Sequence, residues 1–202
     1  MLALPESHQV LQEMVSQGWH VARCSPLAKT RIPIAVGSLV EVAGILFALY
    51  LVVITPEVTF VPLKLILYLV AWVCLLFFPH SLTHYAVGRL VGVRFRYYSF
   101  GKSSVYKLRI PFLSMIASRS PVFTLRVDRA SLQLVGRGAR IAMFSSGAVA
   151  SMVFPFFVTF SSFRDLPVVF SVFLLLLSAS NLLFDCYFST KAGDISRAIS
   201  AA

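Results

Sequence analysis

Four long apolar stretches dominate the chain, at 33–55, 61–85, 139–161 and 166–188. Each is long enough to cross a bilayer as a helix, which takes about 20 residues. Ahead of them, Val10, Leu11, Met14 and Val15 recur at helical spacing, with Glu6 and Glu13 on the remaining surface. That pattern predicts a short amphipathic helix over 5–18, lying at the membrane interface. Between the second and third stretches the period changes. Val105, Lys107 and Arg109 interleave with Tyr106, Leu108 and Ile110, and Phe123, Leu125 and Val127 with Thr124, Arg126 and Asp128. Alternation of this kind predicts strands. Gly101, Lys102 and Ser103 read as a hairpin turn between strands at 95–100 and 104–110, and Pro111 and Pro121 read as breaks. The expected organisation is an N-terminal segment, 1–31, followed by a membrane domain, 32–202, with a strand-rich insert at 94–138. The fold class is all-α polytopic membrane protein, four transmembrane helices with a small cytosolic β insert.

Composition supports this reading. Of the 202 residues 58% are hydrophobic and 13% charged, about half the charge a water-soluble domain carries. The net charge of +10 raises nucleic acid as a partner, but its placement argues for topology instead. All of the eighteen Lys and Arg except Lys64 and Arg164 fall on one side of a four-span arrangement. The positive-inside rule then puts both termini in the cytosol of a multi-pass membrane protein. The first thirty residues lack an apolar stretch closed by a small-residue cleavage site, so no secretory signal is expected. Cys24, Cys74 and Cys186 have no paired spacing and read as structural thiols.

The candidate chemistry lies in the second span. His80 and His84 are four residues apart, which places both imidazoles on one helical face, the logic of the zinc motif H-E-x-x-H. Polar groups inside a span are costly and usually functional. A metal needs a third protein ligand, and Asp185 in the fourth span is the first candidate. Counted from the start of each span, His80 and Asp185 lie nineteen residues along, a descent of roughly 28 Å for both. Asp194 is the rival, lying beyond a break at Gly193 from which the chain would have to fold back. Glu41, the one acid in the first span, lies at a depth comparable to His80. It reads as a substitute base, a fourth ligand, or a protonated acid satisfying a carbonyl or His80.

The HSLTH helix followed by GRLVGV, the strand-rich insert, the SSGAVAS of the third span and the closing Asn-Leu-Leu with its aspartate together resemble the site-2 protease family of intramembrane zinc metallopeptidases. The resemblance covers about residues 61–199. It implies a zinc site on His80, His84 and Asp185, with Asn181 where the family's asparagine orients the substrate backbone, and a transmembrane protein segment as substrate or partner. The sequence departs from the family where the glutamate general base follows the first histidine, because Ser81 stands there. Loss of a base removes typically about 10² to 10⁴ in rate. The aspartate-glycine ending is also absent. Three functions stay open: a zinc metallopeptidase, a pseudoprotease that binds membrane segments without cutting them, and a small proton- or ion-translocating subunit drawing on the same polar residues.

Overall fold

The computed structural model describes residues 31–102, 121–192 and 194–200. In chain order these form β1 (Arg31–Ile32), α1 (Ile34–Ile54, extended by a 3-10 turn to Glu57), α2 (Val61–Leu90), β2 (Phe95–Lys102), β3 (Pro121–Val127), α3 (Arg129–Leu134), α4 (Arg137–Ser162), α5 (Val168–Ala192) and α6 (Asp194–Ser200). Four of the helices, α1, α2, α4 and α5, are long and apolar enough to cross a membrane. The expected helix at 5–18 and strand at 104–110 lie outside the described residues.

The helices bury small and polar positions and expose large apolar ones, the reverse of a water-soluble bundle. On α1, Gly37, Glu41, Ala48, Leu51 and Val52 face inward, whereas Leu39, Phe47, Tyr50 and Val53 are exposed. Small residues at these inward positions let the helix backbones approach closely, the packing that membrane helices use. A Cβ on Gly44 would lie 2.3 Å from the Phe78 ring, so α2 rests directly on the α1 backbone there. Toward one end, Leu51, Tyr68, Trp72, Leu75, Val158 and Leu174 form the apolar core.

Polar side chains stitch that end together. Trp72 Nε1 donates to Ser178 Oγ at 2.8 Å, and Ser178 is 2.7 Å from Thr159 Oγ1, joining α2, α5 and α4. Beyond them Lys64 Nζ reaches Asp165 at 3.3 Å and the Pro56 carbonyl at 3.1 Å, while the Tyr68 hydroxyl donates to Asp165 at 2.6 Å. Both charged side chains are nearly buried, 11% and 13% exposed. Breaking a buried pair by removing one partner costs about 3 to 5 kcal/mol, so Asp165→Asn is expected to lower the thermal midpoint in detergent by several degrees. The double variant Lys64→Met/Asp165→Leu should recover most of the loss.

The opposite end carries the sheet, ordered β1-β2-β3 and antiparallel throughout. Two expectations need correction. Gly101 and Lys102 do not turn; they continue β2 and pair with Val122 and Pro121. Pro121 does not break the strand but begins it, a place where its missing N–H is tolerated. A third strand, β1, comes from the residues just before α1. Between α2 and β2 the chain reverses at Gly92, whose φ of +91° closes α2. Val93 N–H bonds to the Gly88 carbonyl at 2.8 Å and Gly92 N–H to Arg89 at 3.2 Å, the paired bonds of a Schellman cap. This stop aims β2 back along α1. There the Tyr98 ring lies over Gly37, where a Cβ would fall 2.3 Å from it.

Candidate metal centre

His80 and His84 project from the part of α2 that packs on α4. Gly147 of α4 makes room for them, since a Cβ there would lie 2.2 Å from His84 Nε2 and 2.7 Å from the His80 carbonyl. The rings meet edge to face, with centroids 4.9 Å apart and planes at 86°. After α5 the chain folds back, and α6 starts at Asp194. Its Oδ2 lies 3.1 Å from His80 Nε2 and 3.2 Å from His84 Nε2. One ligand atom from each of the three residues falls within 4.8 Å of the others.

The outward nitrogens of both rings are committed elsewhere, which fixes what the inward ones can do. His84 Nδ1 is 2.6 Å from the Met143 carbonyl, which can only accept, so Nδ1 carries the proton. His80 Nδ1 is 2.9 Å from Ser151 Oγ. Ser151 Oγ also stands 2.9 Å from the Gly147 carbonyl and 3.3 Å from the Ala148 carbonyl; with its hydrogen given to either, it accepts from His80. The tautomers assigned by these partners leave both Nε2 atoms of the neutral rings as bare lone pairs. Two lone pairs and a carboxylate oxygen therefore converge, an arrangement that is favourable only around a shared cation, either a metal ion or protons. Metal-binding histidines commonly give their other N–H to a carbonyl or a side-chain oxygen in this way. The two short edges are close to the roughly 3.3 Å expected between ligands of a tetrahedral zinc with bonds of about 2.0 to 2.1 Å. The three residues could hold a metal ion, and two imidazoles with one carboxylate are ligand types that zinc takes.

Burial alone would push the Asp194 carboxyl up, but when the facing His80 and His84 nitrogens carry protons, their hydrogen bonds and charge hold it well below the usual carboxylate range; a metal ion would take the place of those protons. It is thus an anion whenever the site is assembled.

Of the two carboxylates weighed from the sequence, the structure brings Asp194, not Asp185, to the histidines. Asp185 lies near enough for its charge to be felt by His80 and Asp194 but is not one of the three converging groups. Similar depth along two helices did not bring it to the cluster, and the fold-back that counted against Asp194 is the route by which it arrives. Asn181 donates to the Ser151 carbonyl at 3.0 Å, tying α5 to the turn of α4 that orients His80. Glu41 is 2% exposed and accepts a hydrogen bond from the Tyr98 hydroxyl at 2.8 Å. Its side chain also hydrogen-bonds Ser81, itself 5% exposed. The orienting groups Ser151 and Tyr98 were not anticipated. Ser151 stands four residues after Gly147 on one face of α4, a spacing visible in SSGAVAS, but nothing in the sequence pairs Tyr98 with Glu41.

Comparison with protein families, curated proteins and solved structures found no match for this chain.

Proposed function

We propose that this protein is a multi-pass membrane protein of the site-2 protease type, with a zinc centre on His80, His84 and Asp194 that acts on transmembrane protein segments. The single observation that carries the reading is the convergence of two imidazole nitrogens and a carboxylate, each imidazole oriented by a separate partner from α4. Four apolar helices around a polar cluster suit a substrate that is itself a membrane helix. The distribution of Lys and Arg supports a cytosolic location for both termini and for the sheet. Bound zinc would supply Lewis acidity toward water and a scissile carbonyl. The chain's own residues do the rest: Ser151 and the Met143 carbonyl hold the imidazoles in register, and Asn181 fixes Ser151's turn of α4 against α5.

A second reading, a pseudoprotease that holds a membrane helix without cutting it, is favoured by Ser81 at the position of the usual base. Reconstituted protein loaded with zinc and a fluorophore-labelled model transmembrane peptide separates the two. Cleavage that stops on chelation supports the peptidase. Saturable binding of the peptide without cleavage supports the pseudoprotease, and neither binding nor cleavage contradicts both.

A further inference from the structure

We infer that Glu41 is the general base of this centre, delivered from α1 to the place that the motif helix leaves empty of a carboxylate at Ser81. The inference rests on the metallopeptidase reading and decides between its two forms in favour of cleavage.

In the H-E-x-x-H arrangement the base stands on the residue directly after the first histidine. Here that residue is Ser81, and its hydroxyl meets the carboxylate of Glu41. Gly44 of α1 lies against the Phe78 ring of α2, and one turn toward the sheet Glu41 and Ser81 are both buried. A carboxylate from the neighbouring helix thus stands beside the position where the motif carries its own.

Two features hold it there. Tyr98 donates to Glu41 Oε2 at 2.8 Å, and the Tyr98 ring can come so close because residue 37, one turn earlier on α1, is glycine. Tyr98 is fully buried, and burial, with the adjacent carboxylate, pushes its phenol up, so it remains a donor at any physiological pH. Glu41 is not one of the groups that converge as ligands. A carboxylate that two donors hold beside the ligands, and not among them, suits proton transfer. In hydrolysis the attacking water gives a proton to Glu41 as its oxygen bonds to the scissile carbonyl carbon. Glu41 then returns that proton to the amide nitrogen as the C–N bond breaks. Tyr98 and Ser81 are positioning residues in this scheme.

The test uses zinc content and the affinity of acetohydroxamate, which chelates zinc through two oxygens and passes its proton to an adjacent base. Glu41→Gln keeps the shape and the Tyr98 contact. It is expected to retain zinc and to bind acetohydroxamate roughly ten- to a hundredfold more weakly, the loss of one charge-assisted hydrogen bond. The exchange variant Glu41→Ser/Ser81→Glu should restore both that affinity and peptide cleavage, which a merely structural Glu41 would not allow. Unchanged affinity in Glu41→Gln, or an exchange variant that folds and loads zinc without recovery, overturns the inference and leaves the metal centre standing. Loss of zinc from Glu41→Gln overturns it too, because Glu41 would then be a ligand. Failure of the unaltered protein to load zinc removes the underlying reading itself.

Discussion

Asp194→Ala is expected to strip the protein of stoichiometric zinc, whereas Asp185→Ala should leave the metal in place. Asp194 Oδ2 lies within 3.2 Å of both imidazole Nε2 atoms, and it is the one anion among three donors. Structural zinc sites bind with about 10 to 16 kcal/mol spread over their ligands. Losing one of three therefore costs about 3 to 5 kcal/mol, about two to four orders of magnitude in Kd. Asp185 adds only through-space charge, and its removal should change affinity by less than about tenfold. Metal analysis after dialysis against a weak chelator reads both outcomes. Equal loss in the two variants would mean that both carboxylates hold the metal, and retention in Asp194→Ala would exclude it as a ligand.

Gly147→Ala is expected to disable the centre although it touches no ligand side chain chemically. The added methyl would sit 2.2 Å from His84 Nε2 and 2.4 Å from its Cδ2, at the nitrogen that faces Asp194. Either the ring turns away, breaking its bond to the Met143 carbonyl, or α2 moves off α4. Overpacking of this kind costs typically about 1 to 3 kcal/mol, and loss of the orienting bond about 10- to 100-fold in metal affinity. The matching control is Gly138→Ala on the same helix, where nothing lies within 4 Å of the added methyl. It should keep full zinc content and gain slightly in stability, since alanine is the better helix former by up to about 1 kcal/mol. If Gly147→Ala binds zinc as tightly as Gly138→Ala, the close approach of α4 to His84 is not as described.

The extent to which the sequence foretold these features follows from the range over which each is determined. Helix position and length were legible because an apolar run of about 20 residues is a local feature, long enough as a helix to span hydrocarbon. His80 and His84 were legible because four residues on one helix fix their mutual geometry without reference to anything else. The third member of the cluster depended on rotation about the helix axis and on where the chain goes after Ala192. Counting residues gives depth but neither of those, so Asp185 looked better placed than Asp194. Gly101 resembled a turn because glycine usually marks one, yet β3 runs far enough to pair with it, and the ladder prevailed over local propensity. The two residues of β1 are too few to show alternation. The contact of Tyr98 with Glu41 joins positions 57 apart, through a ring that fits only where residue 37 lacks a side chain. Such a pairing leaves no periodic trace.

Most direct is zinc in the unaltered, detergent-purified protein, counted per chain and examined by X-ray absorption at the zinc edge. The account predicts one zinc per chain, with two imidazole nitrogens and oxygen in its shell at about 2.0 to 2.2 Å, absent from a folded His80→Ala/His84→Ala protein. Folded protein that takes up no zinc, or zinc that persists without those histidines, would contradict it.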